Sequence, residues 1–145
     1  MNIFPLTNTL ILLAISGIHF FWAFGGRWGA DAAIPTNKEG KTMLSPDIFA
    51  TLVVAFGILA MALLHLEKVQ MGSTPQLGLP IPTWINAYGL KIIAGIFLLR
   101  AIGEFRYVGF FKKVKGTKFA TLDTKYYSPL CLILSINAFI SATYL

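Results

Sequence analysis

Cysteine is nearly missing from this chain: Cys131 stands alone, so no internal disulfide can form. Its thiol falls in an apolar stretch and reads as a buried, inert group. Charge is scarce too, at 12% of residues, where a soluble domain carries about 25%. Acidic groups are scarcest, 6 Asp and Glu against 12 Lys and Arg. No Cys/His cluster has metal-ligand spacing, and neither a metal nor another cofactor is expected. A nucleophile elbow, a Walker A loop, a dinucleotide fingerprint, a Cys-x-x-Cys pair and a haem signature are all missing, which removes the enzyme classes those motifs mark. The first residues lack the positive n-region and small-residue cleavage site of a secretory signal; Phe20, Phe21 and Trp22 fill that place. The first apolar stretch is therefore expected to be kept as a helix.

Apolar residues, by contrast, make up 56% of the 145 residues, and mean hydropathy is +0.70. They gather in four stretches, about 6–24, 47–66, 84–103 and 127–145. At about 1.5 Å rise per residue, about 20 residues cover the roughly 30 Å hydrocarbon core of a bilayer. The expected fold is all-α: a four-transmembrane-helix bundle forming one integral membrane domain over residues 1–145. No connection is long enough to hold a second core.

The net charge of +6 is unevenly placed. The first connection carries Arg27, Lys38 and Lys41, and the third carries Arg106, Lys112, Lys113, Lys115, Lys118 and Lys125; the second has only Lys68. Four spans put connections one and three on the same side. The positive-inside rule then places both in the cytoplasm and both termini outside. These cations flank helix ends, so membrane lipids with anionic headgroups, not nucleic acid, are the expected partners.

Local signals set the expected helix ends. Gly25-Gly26 stops the first helix, and the glycine-rich run through Gly29 reads as that stop with an interfacial Trp28. Ser45-Pro46-Asp47 and Tyr127-Ser128-Pro129 are two Ser-Pro helix starts: serine caps free amides, proline suits the first turn, and Asp47 favours the positive helix end. Each follows a basic, aromatic connection, which suggests two related hairpins. Residues 67–82, rich in Gly and Pro, read as an ordered, turn-rich connector. Residues 105–115 interleave aromatics with cations, as suits a segment lying in the interface. Ala138 with Ala142, Ala14 with Gly17, and Ala55 with Ala62 are expected to be helix contact faces.

Ionisable groups at membrane depth are the strongest functional hints, because a charge near the bilayer centre costs at least about 2.5–3.5 kcal/mol. Lys91 lies roughly 10 Å inside the third helix. Either its stem snorkels outward or it is a cation inside the bundle. Lys91 and Arg100 are about 180° apart around the helix, so at most one lines a central cavity. Arg100 and Glu104 share i,i+4 spacing; they pair with each other or face a ligand. His19, with Trp22 at i+3 and Ser16 at i−3, is either a hydrogen-bonded structural histidine or a proton-transfer and ligand group. Topology lets these hints converge at one end. His19, Trp22, Arg27, Trp28 and Asp31 leave helix one there, Arg100, Glu104, Arg106 and Tyr107 leave helix three, and Asp123 and Tyr126 approach helix four. At the other end His65, Glu67 and Lys68 mark a helix terminus.

Two stretches carry a family resemblance. One is His19 to Gly29 (HFFWAFGGRWG), followed by Ala33-Ile34-Pro35. The other is Arg100 to Phe111 (RAIGEFRYVGFF), continuing through Thr121 to Thr124 (TLDT) and Tyr127 to Cys131 (YSPLC). Together they resemble the bacterial DUF3995 family of small four-helix membrane proteins. The resemblance spans nearly the whole chain. It implies the fold, the topology and a bacterial cytoplasmic (inner) membrane, and it implies no activity. Many members carry Asp where this chain has Glu104, which keeps the carboxylate and shortens its reach.

The leading functional expectation is a membrane protein that binds a lipid-like or small amphipathic anionic ligand. Its site would sit at the cytoplasmic ends of helices one and three, where Arg27, Arg100 and Arg106 hold an anionic headgroup by charge-assisted hydrogen bonds. Trp22 and Trp28 cover its apolar part, with Asp31, Tyr107 and Asp123 close by. A second reading is a membrane enzyme with isomerase-like acid/base chemistry, His19 and Glu104 exchanging protons, by analogy alone. A third is a small transporter subunit working as a homodimer through Lys91 or Glu104. A fourth is a structural accessory subunit with no ligand.

Overall fold

The computed structural model describes residues 3–70, 77 and 79–144. Residues 71–76 and 78 of the connector expected over 67–82 lie outside the described residues. In chain order the elements are α1 (Ile3–Ala23), α2 (Ala30–Ala33), α3 (Ile48–Gln70), α4 (Thr83–Ile102), α5 (Lys118–Leu122) and α6 (Ser128–Tyr144), with a π-turn at Asp123–Tyr127 between the last two. Four helices are long and apolar enough to cross a bilayer: Ile3–Ala23, Ile48–Val69, Thr83–Ile102 and a continuous Lys118–Tyr144. Among the described residues no strand forms; one isolated bridge pairs Thr36 with Thr42.

The helix ends follow local chemistry. Past Ala23, Gly25 takes a positive φ of 94°, and the Gly26 amide closes onto the Phe21 carbonyl at 2.9 Å. This is the glycine stop that the sequence marks. α3 opens on Asp47, whose Oδ1 accepts from the Ala50 amide at 2.7 Å. The cap is thus the aspartate beside the helix, with Ser45 outside it, because only Asp47 stands where its oxygen reaches the third helical amide. The last helix departs more from expectation. It starts at Lys118, capped by Thr117 Oγ1 on the Ala120 amide at 3.0 Å, and runs on through Ser128-Pro129. Proline lacks an amide hydrogen, and the wider turn just before it, with the Ser128 amide bonded to the Asp123 carbonyl, lets the helix continue.

The bundle is built from hairpins. α1 packs along α3 and α4 along α6, while α6 also meets α1 and α3 more lightly meets α4. That order places α1 and α4 diagonally across the bundle. Small residues mark the seams. Ala55 and Ala62 are buried against α1, and Ala138 packs on Leu90, Ile93 and Ala94 of α4. Ala14 and Gly17, however, face outward, with nothing within 4 Å of a Cβ at Gly17. Ser16 Oγ donates to the Ala55 carbonyl at 2.8 Å, and Ser135 Oγ donates to the Ala94 carbonyl at 2.7 Å. Each stitches one hairpin, a link worth about 0.6 kcal/mol in lipid.

One polar cluster crosses the apolar core. Asn8 Nδ2 donates to His65 Nε2 at 3.1 Å and to the Leu134 carbonyl at 2.9 Å, and Asn8 Oδ1 accepts from Asn137 Nδ2 at 3.1 Å. His65 Nδ1 bonds the Met61 carbonyl at 2.8 Å. A carbonyl only accepts, so the proton is on Nδ1 and Nε2 is the acceptor that Asn8 needs. Three helices, α1, α3 and α6, are thereby tied through groups that would be costly to bury alone. Outward-facing positions such as Phe49, Val53, Phe56, Leu99, Ile133 and Phe139 are apolar and exposed, as lipid requires.

Candidate functional site at the loop end

The two basic connections meet at one end of the bundle. Lys118 Nζ bonds Asp31 Oδ2 at 2.6 Å, and the Tyr127 hydroxyl donates to the Ala32 carbonyl at 3.1 Å. Both links join residues 30–33 to the start of the last helix. The hydrogen bond from Lys118, then its charge, hold the Asp31 carboxyl below the usual carboxylate range. Both partners are solvent-exposed, so this clasp is a positional link and a weak energetic one.

Behind the clasp, the chain leaving α4 folds back on itself. Gly103 and Gly109 have φ of 85° and 91°. A Cβ on Gly103 would collide with the Val108 carbonyl, and one on Gly109 with the Ile102 carbonyl. Only glycine allows both the positive φ and this approach. The Phe110 amide then bonds the Ala101 carbonyl at 2.9 Å, which satisfies an open carbonyl at the end of α4.

This return delivers three charges to one place. Asp123 is 0% exposed. Its Oδ1 accepts from Arg100 Nη2 at 2.9 Å; its Oδ2 accepts from the Gly109 amide at 2.8 Å and from Lys112 Nζ at 3.0 Å. Lys112 is 3% exposed and also donates to the Gly109 carbonyl at 2.9 Å and to Thr124 Oγ1 at 2.6 Å. All three of its ammonium hydrogens are used, so it has nothing left for a ligand. Arg100 is half-buried, and its Nη1 is enclosed without a hydrogen-bond partner among the described residues. The cluster holds two cations and one anion, and its first role is to lock the third connection onto α4 and the last helix.

The residues singled out from the sequence sort differently in space. Arg100 pairs with Asp123, not Glu104; the Glu104 carboxylate instead accepts from the Tyr107 amide on its own loop. Arg106 lies over the Tyr107 ring at 5.2 Å. His19 Nδ1 bonds the Ile15 carbonyl at 2.8 Å and its ring meets Trp22 edge-on at 5.1 Å. Trp22 Nε1 donates to the Trp28 carbonyl at 2.8 Å, pinning the turn after α1. Arg27 and Trp28 are exposed. Among the described residues no hydrogen bond or ion pair joins His19 to Glu104. Lys91 is exposed on α4, with Nζ 5.8 Å from the Tyr88 ring one turn towards the helix start. That is the direction in which a lysine stem leans and snorkels.

Sequence reasoning missed Lys112, whose burial no local pattern separates from the neighbouring surface lysines. It also passed over Asn8 and Asn137, although an amide inside an apolar span is itself a signal. A third omission is a groove of about 470 Å³ lined by Thr36, Asn37, Lys38, Gly40 on one side and Lys115, Gly116, Thr117, Lys118 on the other. Three amines and no carboxylate line it.

Residues 12–138 match the family model DUF3995, a protein of unknown function, and the chain belongs to that family. The resemblance carried by residues 19–29 and 100–131 is thereby confirmed. No curated protein and no solved structure matches the chain.

Proposed function

We propose that this DUF3995 protein is a multi-pass membrane protein that binds anionic lipid headgroups, or a small amphipathic anion, at its loop end. The single observation that carries the reading is the joining of the two basic connections by Asp31–Lys118 and Tyr127–Ala32. It gathers the exposed cations Arg27, Lys38, Lys41, Arg106, Lys113, Lys115 and Lys125 around one end. Exposed rings of Phe24, Trp28, Phe105, Phe111 and Tyr126 stand among them. Rings at headgroup depth and amines reaching phosphates form a recognised interfacial arrangement, and each surface cation near an anionic membrane contributes about 1 kcal/mol. Buried Lys112 and Asp123-bound Arg100 shape this end, while the outer cations meet the ligand. Charge asymmetry supports placing the loop end in the cytoplasm of a bacterial inner membrane, with both termini outside.

The test compares thermal unfolding in nanodiscs of phosphatidylcholine alone and of phosphatidylcholine with phosphatidylglycerol. The anionic discs should raise Tm, high salt should erase the gain, and the pair Arg106→Ala, Lys113→Ala should reduce it. Equal Tm in the two discs would overturn the reading.

A further inference from the structure

We propose that the groove between residues 36–40 and 115–118 is a phosphate subsite, and that Asp31 occupies one of its amines until a phosphate displaces it. This deepens, and rests on, the headgroup reading above, by naming the chemistry of one subsite and the group that regulates it.

Lys38, Lys115 and Lys118 line the groove from opposite walls. An ammonium only donates. Two of the lining side chains have their acceptor atoms engaged by the chain itself: Asn37 Oδ1 takes the Glu39 and Lys41 amides at 3.0 and 2.8 Å, and Thr117 Oγ1 takes the Ala120 amide at 3.0 Å. These two side chains add the Asn37 Nδ2 amide and the Thr117 hydroxyl proton, both donors. A cavity that offers donors from both walls suits a ligand made of acceptors, and a phosphate oxygen cluster fits that description; lysine serves it as a point charge. At about 470 Å³ the groove holds the phosphate together with the polar group that bears it.

Asp31 gives the subsite its regulation. It is not among the lining residues, yet its Oδ2 is 2.6 Å from Lys118 Nζ. Both side chains are exposed, so the pair is weak and readily exchanged. A phosphate carrying more charge than one carboxylate competes for the same ammonium. Binding at this groove therefore opens the Asp31–Lys118 clasp between the two connections.

The same chemistry is offered by a lipid headgroup and by a soluble phosphate, and the experiment separates them. The whole protein is placed in phosphatidylcholine nanodiscs and titrated with pyrophosphate, with sulfate at matched ionic strength as the ionic control; a parallel series uses discs containing phosphatidic acid. Unfolding temperature is read in each. Lys38→Ala and Lys115→Ala should each weaken binding about fivefold, as for loss of one exposed cation contact. Asp31→Asn should tighten it two- to threefold, roughly the loss of a weak exposed competitor, while Glu104→Gln, the same charge change on the third connection away from the groove, should not.

A response to pyrophosphate lost in the lysine variants supports the subsite with a soluble ligand. A response to phosphatidic acid lost in the same variants supports it with a lipid. Wild-type behaviour of both lysine variants with both probes, or equal effects of Asp31→Asn and Glu104→Gln, overturns it. If phosphatidylglycerol still stabilises the protein through Arg106 and Lys113 while the lysine variants bind as wild type, the subsite fails and the headgroup reading stands. If phosphatidylglycerol has no effect but pyrophosphate binds through Lys38, the headgroup reading fails and the subsite stands.

Discussion

Lys112 Nζ lies 3.0 Å from Asp123 Oδ2, with both side chains closed off from solvent. The carboxylate also holds Arg100 and the Gly109 amide, so it is the hub on which α4, the third connection and the last helix converge.

Removing the hub should cost more than removing a spoke. Asp123→Ala leaves two cations facing each other and should destabilise by about 3–5 kcal/mol. Lys112→Met leaves Asp123 bound to Arg100 and to the Gly109 amide and should cost about 1–3 kcal/mol. Reversible unfolding in detergent ranks the two, and the opposite order would contradict the hub.

Gly103 and Gly109 should be the least replaceable glycines of the loop end. Alanine at either must hold a positive φ and displace a carbonyl, a strain of about 1–3 kcal/mol or more. Gly116 has φ of 86° but open space around it. Gly116→Ala should therefore cost only the conformational strain, about 1–2 kcal/mol. Similar Tm losses for all three would count against the folded-back loop.

Inside the span, Asn8 is expected to matter more than Asn137. Asn8→Ala strips a donor from His65, a donor from the Leu134 carbonyl and the acceptor of Asn137, for about 1–3 kcal/mol. Asn137→Ala loses one bond to Asn8, about 0.6 kcal/mol. Hydrogen exchange in α1 near Asn8 would show the difference directly.

The Asp31–Lys118 clasp carries a pH dependence of defined sign. The Asp31 carboxyl is held below its ordinary value by the bond from Lys118. Its contribution is therefore full above the ordinary carboxylate range, near pH 4, and is lost as pH falls through the lowered value. Proteolytic accessibility of residues 34–46 should be flat from about pH 6 to 8 and rise only in stronger acid. Asp31→Asn should show the acid behaviour at neutral pH. A change centred near pH 6.5 would implicate a histidine in its place.

Much of the fold is legible because lipid imposes strict terms. A span must be long, apolar and internally hydrogen-bonded, so four stretches in the sequence become four crossing helices, and Gly25-Gly26 ends the first as its chemistry requires. Legibility fails where a choice depends on distant partners. Spacing pairs Arg100 with Glu104, but the guanidinium turns to Asp123, 23 residues on, because the Gly103–Gly109 fold-back presents that carboxylate already bound to an amide. Pro129 marks a helix start by local rule, yet a π-turn carries the helix past it. Small residues identify smooth helix faces without saying which meet a helix and which meet lipid: Ala55 and Ala62 do the first, Ala14 and Gly17 the second. Of the candidate site, the shared end of the two connections was readable from charge and topology. The groove was not, since its two walls are far apart in the chain and made of unremarkable residues.

The backbone contact of Gly103 with Gly109 has an evolutionary consequence. Residues 104–108 leave and return through one narrow neck and form a closed appendage, which the Lys113 and Val114 amides grip at the Arg106 carbonyl. Lengthening that appendage adds only about 0.6 kcal/mol for each doubling of its size. Insertions and deletions among DUF3995 sequences should gather there, while the glycines on either side and the register from Ala101 to Asp123 stay fixed.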